Sequence, residues 1–271
     1  MIGAARTFEK YEGLGNDFLL IEAASEVEVS DEDAARLCDR RLGVGGDGVL
    51  VLLPPRLAGL DARMQVRNAD GSIPEMCGNG VRCVALHLAR GRGLRRGTVN
   101  IETDAGPRAC AVDDTGRVAR VTVDMGPVRV MGERSIEVEG RAVSLIEADA
   151  GNPHAVLFGA FTAADAAHLG QRVAAHAAFP GGTNVEFARV AGGGVDLVVW
   201  ERGVGLTLAC GTGACAAAAV ACAQGLLPRG AAVPVRLPGG VLDVTIDHAG
   251  RAIMTGPARH VFSGRTAPTQ G

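Results

Sequence analysis

Two cysteines stand in the same setting. Cys77-Gly78-Asn79-Gly80 and Cys210-Gly211-Thr212-Gly213 each run directly into a stretch of small and apolar residues that reads as a helix. A cysteine at a helix N-terminus meets the positive end of the helix dipole and backbone N–H groups without intrahelical partners. Both stabilise a thiolate and can lower its pKa from about 8.5 to between roughly 3.5 and 7.5. The glycines open those N–H groups at close range, forming an anion pocket suited to a carboxylate. Two such pockets facing each other would hold one carboxylate between two thiols. Proton removal from the adjacent carbon then sends charge onto the carboxylate oxygens, where the N–H groups already point. One thiolate takes the proton from one face, the opposite thiol returns one to the other, and the carbon inverts: racemisation or epimerisation with no cofactor. By motif position, His154 and Glu201 are the titratable residues placed to set which thiol starts ionised.

The elements that must hold these cysteines are duplicated. Gly15-Asn16 lies 62 residues before Cys77, counted from the glycine, and Gly151-Asn152 lies 59 before Cys210. Gly46 and Gly182 precede their cysteines by 31 and 28 residues, and Asn68 and Glu201 each by nine, at the end of an apolar strand. Four landmarks in one order at nearly constant spacing mark an internal repeat. In the first copy the pattern predicts a hairpin around Gly13-Leu14-Gly15-Asn16-Asp17, a helix capped by Ser30, strands over 49–53 and 62–67, the first cysteine helix, and hairpin-linked strands over 98–130. In the second it predicts strands over 135–139 and 142–148, an apolar run at 155–158 and a helix over 162–177. Strands over 184–190 and 195–200 follow, then the second cysteine helix and four short strands over 233–262. The expected fold is α+β: two homologous, pseudo-symmetric domains, each a β-rich barrel-like sheet around a central helix, with the active site in the cleft between them. Residues 1–127 form the first repeat, completed by a C-terminal strand over 258–271, and residues 128–257 the second.

Composition narrows the function classes. A formal charge of −3 over 271 residues, without a basic run, gives no reason to expect nucleic acid or a membrane surface as partner. Lys10 is the single lysine, remote in sequence from the cysteine motifs, which removes a P-loop and a pyridoxal-phosphate Schiff base. Seven cysteines, an odd number, in a chain too large to need stapling, with no apolar core of signal-peptide length at the N-terminus, indicate a cytoplasmic protein with reduced thiols. The spacings from Cys77 to Cys83 and from Cys210 to Cys215 do not suit a zinc site, so no metal is expected. Cys38, Cys83, Cys110, Cys215 and Cys222 read as packing residues. Gly43, Gly45 and Gly48 fit G-x-G-x-x-G, but a strand follows them where a dinucleotide site needs a helix. Gly211, Gly213 and Ala216 fit the looser form and do open a helix, so a Rossmann oxidoreductase is the competing class. It requires βαβ alternation, which this hairpin-rich chain lacks. Asp47-Gly48 and Asp70-Gly71 read as turn formers.

These stretches together resemble the diaminopimelate epimerase family. The resemblance is carried by Gly13-Leu14-Gly15-Asn16-Asp17-Phe18, Asn68-Ala69-Asp70-Gly71-Ser72, Cys77-Gly78-Asn79-Gly80-Val81-Arg82-Cys83, Gly151-Asn152-Pro153-His154, Gly182-Thr183-Asn184-Val185-Glu186-Phe187, Glu201-Arg202-Gly203-Val204-Gly205 and Ala209-Cys210-Gly211-Thr212-Gly213-Ala214-Cys215. It implies interconversion of LL- and meso-diaminopimelate with Cys77 and Cys210 as acid/base pair, His154 and Glu201 influencing their ionisation, and no cofactor. It implies that backbone N–H groups of Gly78, Asn79, Gly211 and Thr212 hold the reacting carboxylate. Asn16, Asn68, Asn152, Asn184, Glu201 and Arg202 would bind the rest of a small amino acid substrate, with Glu201 on its distal ammonium and Arg202 on its distal carboxylate. A cytoplasmic homodimer serving lysine and cell-wall synthesis is implied as well. Three positions depart from the family pattern: Gly48 replaces a glutamine, Leu206 a glutamate and Trp200 a tyrosine or phenylalanine. Gly48 and Leu206 leave room for another substrate, and a related two-cysteine racemase acting on an amino acid such as histidine is the alternative.

Overall fold

A computed structural model describes residues 5–74 and 77–267. Its elements in chain order are β1 (Thr7–Gly13), β2 (Asn16–Glu22), α1 (Asp31–Cys38), β3 (Gly48–Leu53), β4 (Ala62–Asn68), α2 (Gly78–Gly91), β5 (Arg96–Thr103), β6 (Gly106–Asp113), β7 (Ala119–Pro127), β8 (Arg129–Val138), β9 (Arg141–Asp149), β10 (Pro153–Phe158), α3 (Ala163–Ala174), β11 (Asn184–Ala191), β12 (Gly194–Glu201), β13 (Gly205–Thr207), α4 (Gly211–Ala223), β14 (Ala232–Leu237), β15 (Gly240–Ile246) and β16 (Arg251–Arg265). The chain divides into two compact units, Met1–Val123 with Pro257–Gly271, and Asp124–Gly256. No helix among the described residues is long and apolar enough to cross a membrane.

In the first unit β1 to β7 are neighbours in chain order, β16 follows β7, and β16 also pairs with β1, closing an eight-strand barrel. Helix α2 touches β1 through β6 and is buried from Gly78 to Leu86, so it fills the barrel. The strands alternate between two faces. Leu19, Ile21, Val49 and Val51 pack outward against Ala34, Leu37 and Cys38 of α1, whose first turn is closed by a capping box between Ser30 and Asp33. The intervening residues, such as Leu50, face α2.

The second unit repeats this plan with the order β8, β9, β10, β11, β12, β14, β15, β16, and β13 attached to β12. The ladders correspond: β2–β3 and β10–β11 are parallel, β3–β4 and β11–β12 antiparallel, β4–β5 and β12–β14 parallel, β5–β6 and β14–β15 antiparallel. The registers correspond too, Phe18 opposite Gly48 in one unit and His154 opposite Asn184 in the other. Helix α4 touches β8 to β12, β14 and β15, and every residue from Gly211 to Cys222 is buried. That crowding explains its composition: a helix enclosed on all sides leaves room for little beyond alanine, glycine and cysteine. On the outer face Ala155, Leu157, Val185 and Phe187 pack against Ala166, Val173 and Ala174 of α3.

The structure corrects three element boundaries. The expected four strands over 233–262 are three, because β16 runs unbroken for 15 residues through Gly256-Pro257. Pro257 falls between the last residue paired with β15, Thr255, and the first paired with β1, Arg259, where a missing N–H costs neither ladder. Helix α3 ends at Ala174 and not near 177. His176 Nδ1 accepts from the Ala178 N–H and draws the chain into a turn. Strand β8 begins at Arg129, ahead of the strand expected over 135–139, and β13 went unseen because it has three residues. Residues 268–271 of the expected C-terminal strand lie outside the described residues.

Candidate active site

Both cysteines are the N-cap residues of the central helices. Cys77 has extended backbone before α2, and its sulfur accepts the Gly80 N–H at 3.3 Å. Cys210 does the same before α4, its sulfur accepting the Gly213 N–H at 3.4 Å. A thiol sulfur thus takes the place of the usual capping oxygen, at the third N–H of the helix. Glycine at this position lets the helix start lie close against the strand and the sulfur. A Cβ on Gly80 would lie 2.7 Å from Leu50 Cδ2 and 3.2 Å from Cys77 Sγ. Gly78 and Asn79 in α2, and Gly211 and Thr212 in α4, are the first two residues of their helices.

In the first unit, Asn16 opens β2 and reaches both the helix start and the preceding loop. Its Nδ2 donates to Asp47 Oδ2 at 2.7 Å, and its Oδ1 accepts from Asn79 Nδ2 at 3.1 Å. Asn79 is held in turn by Arg82, fully buried, whose Nη2 donates to Asn79 Oδ1 at 2.9 Å and whose Nε donates to the Pro257 carbonyl at 3.1 Å. Asp47 also accepts from the Asp17 N–H and pairs with Arg40. Asp47 is therefore more than a turn former, and neither it nor Arg82 was evident from motif position. Asn68 ends β4 opposite Gly48, and its Nδ2 donates to Ser72 Oγ at 3.0 Å within the following turn. Any side chain at Gly48 would drive its Cβ to 2.7 Å from the Arg67 carbonyl oxygen, so the neighbouring strand leaves no room there for a side chain.

In the second unit, His154 is buried and both ring nitrogens are engaged, Nδ1 with Glu186 Oε1 at 2.7 Å and Nε2 with Asn152 Oδ1 at 2.8 Å. Glu186 was missed in the sequence, although strand alternation from Asn184 puts it on the α4 face. Glu201, at the end of β12, accepts from Thr207 Oγ1 at 2.5 Å, and its carboxyl influences the ionisation of Cys210. Burial raises the Glu201 carboxyl pKa, and the Glu186 charge adds to that rise. Burial likewise pushes the Cys210 thiol well above its ordinary value, with Glu201 and Glu186 adding to the rise and the Thr212 hydroxyl and Gly213 N–H opposing it. Asn184 Oδ1 accepts from the Arg202 N–H at 2.9 Å and its Nδ2 donates to the Pro153 carbonyl at 3.1 Å, while Arg202 Nη1 donates to the Gly181 carbonyl. Asn152, His154 and Glu186 thus form one group, Glu201 and Cys210 a second, Asn184 and Arg202 a third. Leu206 lies on β13 and is exposed, opposite Trp200.

The other cysteines are buried packing groups. Burial raises the Cys38 thiol to about 11 and Cys110 to about 12, far from a reactive thiolate at neutral pH.

A duplicated barrel-and-helix unit with an N-cap cysteine in each copy defines the class. The fold is that of a probable proline racemase from Agrobacterium radiobacter, with TM-score 0.75 and 19% identity over 97% of this chain and 93% of that one. A hydroxyproline epimerase from Agrobacterium vitis superposes with TM-score 0.76 at 18% identity over 98% and 93%. Within that fold the sequence is more specific. The profile of the family described as Diaminopimelate epimerase matches residues 8–131 and 147–261. Diaminopimelate epimerases from Desulforudis audaxviator and a Synechococcus strain are 45% and 42% identical, covering 95% and 96% of this chain and 98% of each relative. The chain belongs to the diaminopimelate epimerase family, a family of isomerases.

Proposed function

We propose that this enzyme interconverts LL- and meso-diaminopimelate by proton transfer at one α-carbon, with Cys77 and Cys210 as the two acid/base groups. The observation that carries the reading is that both cysteines, and no others, cap the helices at the centres of two like units. One thiolate removes the α-proton while the helix-start N–H groups of Gly78, Asn79, Gly211 and Thr212 receive the charge that develops on the carboxylate. The other thiol delivers a proton to the opposite face, so atoms and charge balance without a further reactant. His154 and Glu201 adjust the ionisation of the pair. Asn16, Asn68, Asn152, Asn184, Glu201 and Arg202 hold the remainder of the substrate, Arg202 taking the distal carboxylate and Glu201 the distal ammonium. The enzyme acts as a cytoplasmic homodimer that supplies lysine and peptidoglycan precursors. Seven free thiols fit a reducing compartment.

The test is incubation of reduced enzyme with LL-diaminopimelate in heavy water, reading deuterium at the α-carbon and the isomer ratio. Deuterium in both isomers is expected, and its absence would overturn the assignment. Replacing either Cys77 or Cys210 by alanine should abolish net epimerisation. Histidine and proline run in parallel should remain unlabelled.

A further inference from the structure

The two units are alike in backbone and unlike in one pair of side chains. Counting from Gly46 and Gly182, Leu50 and Glu186 occupy the same place: Leu50 faces Leu20 across a parallel ladder, and Glu186 faces Val156. Each lies against the third residue of its central helix. A Cβ on Gly80 would meet Leu50 at 2.7 Å, and one on Gly213 would meet Glu186 Oε1 at 2.8 Å, with the cysteine sulfur at 3.2 and 3.3 Å respectively. The partner strands differ in step, Phe18 in one unit standing where His154 stands in the other. Where Cys77 has an apolar pair behind it, Cys210 has a carboxylate and an imidazole.

A carboxylate here is costly. The Glu186 and His154 side chains are both fully excluded from solvent, and Glu186 Oε2 accepts no hydrogen bond among the described residues. Burying an unsatisfied polar group carries a desolvation penalty, and leucine fills the same place in the other unit without it. The hydrogen bond between Oε1 and His154 Nδ1 offsets part of it, and the same Oε1 lies against Gly213, the residue whose N–H caps on the Cys210 sulfur. The groups that face this pair are Asn152 on the turn before β10, Asp149 on β9, Glu201 on β12 and Cys210 on α4.

We propose that Glu186 is a positioning residue of this site: its carboxylate holds His154 in the form protonated at Nδ1 and places a fixed negative charge beside the Cys210 thiol, an asymmetry that Leu50 denies to Cys77. Glu201, standing where Asn68 stands in the other unit, biases the Cys210 thiol in the same direction, and Glu186 adds a second charge from the neighbouring strand. With Glu186 in place Cys210 is kept as the proton donor of the resting enzyme, and the proton has a defined side from which to be delivered. The functional meaning rests on the proposed two-thiol reaction, while the charge and the hydrogen bond do not.

Two magnetic-resonance readouts on the whole protein test this. With 15N-labelled histidine, the His154 Nδ1 of the wild type, assigned by its loss in His154→Gln, should carry a proton; that proton should disappear in Glu186→Leu, where Nε2, facing Asn152 Oδ1, keeps its own. With cysteine 13C-labelled at Cβ, the Cys210 titration midpoint should fall by about one pH unit in Glu186→Gln, because a like charge disfavouring the thiolate is removed. The Cys77 midpoint should not move. A bare Nδ1 in the wild type, or a Cys210 midpoint no lower in Glu186→Gln than in the wild type, overturns the proposal. If Glu186→Leu does not fold, the wild type and the isosteric glutamine still decide both points. Loss of deuterium exchange with diaminopimelate in the wild type would remove the reaction and leave these two results standing.

Discussion

The Cys210 thiol and the Glu186 carboxylate share the space over the α-carbon of Gly213, where an added Cβ would lie 2.8 Å from Glu186 Oε1 and 3.3 Å from Cys210 Sγ. Both neighbours are buried and tied, one to His154 and the other to the helix start. Gly213→Ala should therefore cost about 1–3 kcal/mol of stability, the ordinary cost of overpacking. Gly80→Ala meets the far end of Leu50, which can turn aside, and should cost less. Urea unfolding of both variants checks the order, and a larger loss at Gly80 would contradict it.

The duplication was legible because backbone requirements are written in residue types. A turn needs its glycine, a helix start needs its cap, and both recur at fixed offsets from Cys77 and Cys210. Glu201 was legible as a site residue because it closes an apolar strand where Asn68 closes another. Glu186 was not, since a single acidic residue between Val185 and Phe187 reads equally as a solvent-facing position until α4 is known to cover that face. Arg82 was hidden for a similar reason: arginine inside a helix is ordinarily exposed, and acceptors that include the carbonyls of Gly78 and Pro257 and Asn79 Oδ1 make its burial tolerable. The unbroken β16 was missed because Gly256-Pro257 signals a turn, and the two ladders on either side override it.

Glu201 should make stability fall with rising pH, opposite to most carboxylates. Burial raises its folded pKa above the unfolded value, with the Glu186 charge adding to it. The folded state then binds the proton more tightly, so this contribution is complete below the unfolded carboxyl pKa and is lost as pH rises through the folded one. Glu201→Gln removes the linkage. The melting temperature of Glu201→Gln minus that of the wild type should grow between pH 4 and pH 8, and a constant difference would show that burial does not control this carboxyl.

Arg82 spreads its donors over three directions, to the carbonyls of Gly78 and Pro257 and to Asn79 Oδ1. Lysine offers one tetrahedral ammonium at a shorter reach and cannot reproduce that fork. Arg82→Lys should lower stability by about 1–3 kcal/mol, the cost of leaving a buried acceptor unsatisfied. Because Asn79 then loses its hold on Asn16, KM for diaminopimelate should rise more than kcat falls. Denaturation and steady-state kinetics on one preparation test both, and unchanged KM would separate Arg82 from the substrate end of the site.

Two helical glycines should respond to alanine with opposite sign. A Cβ on Gly170 in α3 would sit 2.6 Å from Trp200 Cβ and 2.8 Å from Cγ, the rigid root of a side chain and not its movable tip. Trp200 is the strand residue immediately before Glu201, and displacing it would drag the end of β12 that carries the Thr207 hydrogen bond. Gly170→Ala should therefore cost about 1–3 kcal/mol and also reduce epimerase activity. Gly91 ends α2 with nothing within 4 Å of a new Cβ and without a left-handed backbone, so Gly91→Ala should stabilise the protein by about 0.4–1 kcal/mol through the unfolded chain. Urea midpoints moving apart in this way, with activity lost only in Gly170→Ala, would establish that close packing of α3 on Trp200 helps hold Glu201 in place. Equal midpoints would mean that α3 shifts to accept the methyl group, and Trp200 would then have no part in positioning that carboxyl.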